Sequence, residues 1–163
     1  MENIIDNFLN FNDFQHIVNN TIETSDFPYY KPGLGVSSTT SNDGIYFIHM
    51  FYGNNQKSNT FPIIQPILNR LEIKKLIRCQ LNLYPRTFFR KYHDFHVDLS
   101  MKHKGCILYL NTNDGFTVLK GKLFNKKIKS VENRALFFNP GKKHCSSTCT
   151  NEHFRANIIF NYM

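Results

Sequence analysis

Apolar residues change their spacing partway along the chain. Between residues 2 and 22, Ile5, Phe8, Leu9, Phe11, Ile17, Val18 and Ile22 recur at near-helical intervals, which predicts a helical stretch with a break near Asn12-Asp13. Residues 24–44 are rich in Pro, Gly, Ser and Thr and read as loop. The run from Ile45 to Tyr52 predicts a strand that ends at Gly53-Asn54-Asn55. Residues 63–74 predict a short helix, with Pro66 in the first turn, where a missing N–H is tolerated.

From residue 76 the interval becomes two. In Leu76–Tyr84 one face carries Ile77, Cys79, Leu81 and Leu83, and the other carries Arg78, Gln80, Asn82 and Tyr84. Short strands are expected at 106–111, 116–119, 128–131, 134–138 and 154–162, with turns at Asp114-Gly115 and Pro140-Gly141. Such a succession suggests a sandwich or barrel. The expected class is therefore mostly β with N-terminal helices. Residues 1–163 read as one domain, in which 1–75 support a β core at 76–163.

Composition narrows the setting. The 163 residues are 41% hydrophobic and 20% charged, which fits a globular chain and argues against disorder. No apolar run approaches the ~18 residues of a membrane span, and the N-terminus lacks a signal-peptide pattern, so a cytoplasmic location is the expectation. Cys79, Cys106, Cys145 and Cys149 form no CxxC pair and read as reduced thiols, with Cys145-x-x-x-Cys149 a weak zinc hint. The net charge of +8 is uneven. Residues 1–60 hold two basic and six acidic residues, whereas 61–163 hold eighteen basic and six acidic, which suggests an anionic partner or a solvated lysine face.

The chemistry concentrates around Tyr92-His93-Asp94-Phe95-His96-Val97-Asp98. On an extended strand His96 and Asp98 point to one side and can reach one metal ion, and His144 can supply a third ligand. Two histidines and a carboxylate with open positions suit non-haem Fe(II), although they also suit zinc, and His93-x-x-His96 competes as a ligand pair. In Phe154–Tyr162, Arg155 alternates with the packing residues Phe154, Ala156, Ile158, Phe160 and Tyr162. An inward arginine needs an anion, and its fork fits a carboxylate. Phe88, Phe89 and Tyr92 interleave with Arg86, Arg90 and Lys91, and these aromatics are read as pinning the loop to the barrel.

His96-Val97-Asp98, Cys106-Ile107-Leu108-Tyr109-Leu110-Asn111, Asn133-Arg134-Ala135-Leu136-Phe137-Phe138, His144 and Arg155 together resemble the Fe(II)/2-oxoglutarate-dependent oxygenases of the prolyl 4-hydroxylase type. The resemblance covers residues 76–163. It implies a double-stranded β-helix, a jelly-roll or cupin-like barrel, with His96, Asp98 and His144 as iron ligands. It also implies Arg155, Tyr84 and Tyr109 as contacts of 2-oxoglutarate, with O2 as co-reactant and ascorbate in support. The implied activity is hydroxylation of a C–H bond on a prolyl or other protein residue, with succinate and CO2 as coproducts.

Departures from the family pattern concern the substrate. The segment between Tyr84 and His96 is long and basic, Asn161 stands where the oxygen-sensing branch has tryptophan, and Ile159 replaces an expected threonine. A free amino acid, a small metabolite or nucleic acid are the alternative substrates. A non-enzymatic jelly-roll binding module is the alternative from another class.

Overall fold

The computed structural model describes residues 2–32 and 46–163. Its elements run β1 (Asn3–Ile5), α1 (Phe11–Asn19), β2 (Phe47–Gly53), β3 (Gln56–Lys57), α2 (Gln65–Leu71), β4 (Leu76–Pro85), β5 (Lys104–Tyr109), β6 (Phe116–Leu119), β7 (Lys126–Lys129), β8 (Ala135–Phe138), β9 (His144–Ser146) and β10 (Phe154–Tyr162). A 3₁₀ turn, Phe61–Ile64, leads into α2. Seven strands form an antiparallel sheet in the order β1-β8-β5-β10-β4-β2-β3, and three form a second, β7-β6-β9.

This is the mostly β class expected from the alternation, and its two antiparallel sheets agree with the jelly roll that the resemblance implied. No strand ladder joins the two sheets among the described residues, so the expected barrel takes the form of two packed sheets. Nor is any helix among the described residues long and apolar enough to cross a membrane.

Strand β10 is central and pairs with β4 on one side and β5 on the other. The register sets Arg155 opposite Tyr84, Asn157 opposite both Asn82 and Tyr109, and Asn161 opposite Arg78. One face of these strands carries Ala156, Ile158, Phe160 and Tyr162 with Cys79, Leu81, Cys106 and Leu108. That face packs under Phe14, Ile17 and Val18 of α1 and Ile67 and Leu71 of α2 in the main core. Each large apolar side chain buried there contributes ~1.5–3 kcal/mol. A smaller core joins the opposite face to the second sheet through Ile107, Tyr109 and Ile159 against Leu119 and Ile128.

The N-terminal reading needs correction. Residues 3–5 are an exposed edge strand on β8 rather than part of a helix. The helix begins only at Phe11, because the Asn10 side chain accepts from Asp13 N–H at 2.9 Å and Asn7 takes a positive φ of 50°. Helix α2 covers 65–71 instead of 63–74, and Glu72 in the left-handed region (φ 49°) terminates it. Residues 33–44 of the expected loop and Ile45 of the expected strand lie outside the described residues. Strands β3 and β9 are additional to the elements expected from periodicity, being only two and three residues long.

Candidate metal and anion site

His96, Asp98 and His144 come together. Their ligand atoms all lie within 4.8 Å of one another. His144 Nε2 is 3.5 Å and His96 Nε2 3.7 Å from Asp98 Oδ1. Backbone bonds between His96 and His144 in both directions, each 2.9 Å, hold the two histidines in register. His96 Nδ1 meets the Asp94 carbonyl at 3.1 Å and His144 Nδ1 meets the Lys142 carbonyl at 2.9 Å. A carbonyl can only accept, so both Nδ1 atoms carry a proton and both Nε2 atoms face the shared space, where a bound metal would take the place of any proton between His144 Nε2 and Asp98. That is the donor set a divalent metal requires, and these residues fit an iron ion.

Asp98 is held from its other side. Arg78 Nη2 lies 3.0 Å from Oδ1, and Asn161 Nδ2 donates to Oδ2 at 2.9 Å. Burial pushes the Asp98 carboxyl up, but the His144 hydrogen bond, the Arg78 charge and the Asn161 amide outweigh it and hold the group well below its usual range. For His96 burial comes first and the neighbouring His144 adds to it, so its pKa falls and the ring stays neutral and ready to ligate.

The other expected anchor is Arg155, fully buried at 0% exposure. Its Nη2 donates to Thr117 Oγ1 at 2.9 Å and its Nη1 is 3.5 Å from the Ser147 carbonyl, while Nε has no partner. No carboxylate pairs with it among the described residues. The guanidinium carbon lies 5.2 Å from the Tyr84 ring centroid and 5.6 Å from that of Tyr109. Burial raises the pKa of both phenols, and the Arg155 charge opposes this less strongly, so both hydroxyls remain donors. Tyr109 donates to Thr117 Oγ1 at 2.8 Å.

A cavity of about 80 Å³ adjoins the triad, and Gln80, Asn82, Tyr84, Asn157 and Ile159 form part of its walls. Arg155 and Tyr109 are outside those walls, and Tyr84 is common to the cavity and the arginine cluster. The polar wall is linked: Gln80 Nε2 donates to Asn82 Oδ1 at 2.5 Å, and Asn82 Nδ2 donates to Asn157 Oδ1 at 3.3 Å. Asn157 Nδ2 is buried without a partner.

His93 lines the same cavity but packs its ring 5.0 Å from Tyr84, and no metal-ligating set other than His96, Asp98 and His144 occurs among the described residues. Cys145 and Cys149, the weak zinc hint, are both buried and neither belongs to that set. The aromatic loop reading also fails for Phe88 and Phe89, which are 89% and 76% exposed. Their rings meet each other edge to face instead of the barrel.

Thr117, Gly115 and Arg78 escaped the sequence reading. Thr117 is the one polar residue in Phe116–Leu119, a signal that a buried hydroxyl has a task. Gly115 read only as a turn, but a Cβ there would lie 2.6 Å from Arg155 Cδ, so the glycine makes room for the buried arginine. Arg78 stands on the polar face with Gln80, Asn82 and Tyr84, yet its pairing with Asp98 depends on a residue twenty positions away.

No protein-family model matches the chain, and no curated protein matches it. Solved structures do. A prolyl hydroxylase from Trichoplax adhaerens, in complex with a hypoxia inducible factor oxygen degradation domain peptide fragment, is similar at a TM-score of 0.70 and 15% identity, covering 99% of this chain and 83% of that one. A 2OG-Fe(II) oxygenase family oxidoreductase from Burkholderia pseudomallei gives 0.73 and 10%, covering 99% and 84%. The viral collagen prolyl hydroxylase of Paramecium Bursaria Chlorella virus-1 gives 0.58 and 16%, covering 98% and 93%. At these identities the likeness shows a shared fold over nearly the whole chain.

Proposed function

We propose that the chain is an Fe(II)- and 2-oxoglutarate-dependent dioxygenase that hydroxylates a C–H bond of a prolyl or other protein residue, releasing succinate and CO2. The observation that carries this is Arg155. A fully buried guanidinium with an unsatisfied Nε and no carboxylate partner among the described residues costs several kcal/mol unless an anion joins it. It shares Tyr84 with a cavity that borders a His-Asp-His set, so one dicarboxylate bridging the two accounts for both. His96, Asp98 and His144 would hold the metal, and Arg155, Tyr84 and Tyr109 the far carboxylate of 2-oxoglutarate.

The bound iron would supply oxygen activation coupled to decarboxylation of the cosubstrate. The chain's own residues do the arranging. Carbonyls of Asp94 and Lys142 fix both imidazole tautomers, and Arg78 and Asn161 keep Asp98 ionised and immobile. The two phenols stay protonated and donate, and burial of Arg155 excludes water from the carboxylate it binds. The protein-residue assignment draws on the fold shared with two prolyl hydroxylases, one of them holding a peptide fragment. Ascorbate is assigned as a supporting reductant.

Anaerobic titration with Fe(II) and 2-oxoglutarate tests this reading. The chelate gives a visible charge-transfer band that His96→Ala abolishes and that Arg155→Ala shifts to at least about tenfold higher 2-oxoglutarate concentration. Succinate release then rises when a prolyl peptide is added. Absence of the band from folded protein overturns the oxygenase reading in favour of a binding module, and a band without peptide stimulation moves the substrate to a small metabolite.

A further inference from the structure

The loop before His96 and the second sheet together build a stripe of cations seated on rings. The Arg90 guanidinium lies 4.9 Å from the Phe116 centroid, and Lys127 Nζ lies 5.5 Å from Phe116 and 5.4 Å from Tyr92. Lys120 Nζ lies 5.6 Å from Phe95. The order along the stripe is fixed by backbone pairing, since Tyr92 bridges Ser147 and His96 bridges His144. It therefore runs from Phe116 past Tyr92 and Phe95 and ends at a metal ligand.

Charge and exposure single this surface out. Residues 86–143 hold thirteen basic side chains against four acidic ones. Asp114 is engaged with Arg90 and Thr150, Glu2 from outside the segment pairs with Lys126, and Asp98 belongs to the triad. Strand β7 is the free edge of its sheet, where Lys127 and Lys129 flank the buried Ile128. Beyond it the turn tip exposes Leu123 and Phe124 at 88% and 86%, between Lys122 and Lys126. Large apolar side chains standing in water beside a run of lysines mark an interaction surface.

We propose that this stripe docks an acidic segment of the polypeptide substrate and so delivers the reacting residue to the metal site. The inference rests on the oxygenase reading. Lysines at an open edge repel a second basic strand and favour one that carries carboxylates. Nucleic acid fits the charge less well in detail. Base stacking needs open ring faces, and those of Phe116, Tyr92 and Phe95 already hold cations, while Phe88 and Phe89 meet edge to face.

Fluorescence anisotropy decides the matter, with three labelled probes on the full chain: poly-glutamate, poly-lysine and oligo-dT. The expected result is binding of poly-glutamate, none of poly-lysine, and at least about tenfold weakening in the Lys120→Glu/Lys127→Glu double variant. Lys74→Glu/Lys75→Glu, beside the C-terminal Met163, leaves affinity unchanged. Equal loss in that control reduces the effect to net charge and overturns the proposal, as does tighter binding of oligo-dT or no binding of poly-glutamate. The Co(II) spectrum of each variant reports the metal site separately. Poly-glutamate binding without a metal spectrum leaves the docking surface and removes the oxygenase; the reverse removes only the docking surface.

Discussion

Strands β4 and β10 present two faces with opposite obligations. On one, Ala156, Ile158 and Phe160 pack with Cys79 and Leu81 beneath the helices in the main apolar core. On the other, residues alternate with these in sequence: Arg155, Asn157 and Asn161, opposite Tyr84, Asn82 and Arg78. Apart from the half-buried Arg78, that second face is also buried, but it holds an arginine with a free Nε and an asparagine with a free Nδ2. One face is complete in the folded chain, and the other keeps buried polar atoms without partners. A single strand thus separates stability from function by parity alone.

The largest expected effect lies on the complete face. Phe160→Ala removes a fully buried ring from the main core and should cost about 3–5 kcal/mol, a fall in Tm on the order of 10 °C, with or without ligand. Calorimetry of apo protein checks it. An equal fall for Asn157→Ala, which trims the cavity wall and removes an unsatisfied donor together with the long 3.3 Å bond from Asn82, would erase the distinction between the faces.

Arg155→Met sharpens the comparison because its sign is opposite. Exchanging an unpaired buried cation for an apolar side chain of similar length should stabilise the apo protein by about 1 kcal/mol, raising Tm by about 2–4 °C. The same variant should lose the stabilisation that 2-oxoglutarate gives the parent. A strong destabilisation of apo protein would mean that Arg155 is structural and that its bonds to Thr117 and Ser147 suffice.

The parity of these strands was legible because period-two alternation is a local property, and it assigned Arg155, Asn157 and Asn161 to one side before any contact was known. The triad was legible for a different reason. The i, i+2 spacing of His96 and Asp98 suggested a shared side even though the segment is a loop with one isolated bridge at His96, and His144 was reached through a family resemblance spanning the β core, although the three-residue strand that carries it is too short to show periodicity. Illegible features depended on partners distant in sequence. Arg78 on β4 meets Asp98 in the loop that precedes β5, and Gly115 earns its place only through the side chain of Arg155. The helix read over residues 2–22 failed because an apolar interval cannot reveal that Asn10 caps a later start or that Ile4 and Ile5 form an edge strand on β8.

The smallest expected effect comes from the N-terminal side of the large sheet, where a polar group is fully satisfied rather than waiting. His49 is buried, with Nδ1 2.8 Å from the Pro28 carbonyl and Nε2 2.6 Å from Thr60 Oγ1. Burial lowers its pKa below the usual 6.5 and the Pro28 bond only partly opposes this, so the folded chain prefers the neutral ring. The unfolded chain binds the proton first as pH falls. The stabilisation is therefore complete above 6.5 and is lost as the pH drops through the lowered folded value. Urea titrations of the parent and of His49→Gln at neutral and mildly acid pH should show a shallower acid decline in the variant. Because His96 shifts in the same direction, the difference between the two proteins isolates His49. Parallel declines would show that His49 titrates alike in both states, and that satisfied and waiting polar groups in this fold are not distinguished by their protons.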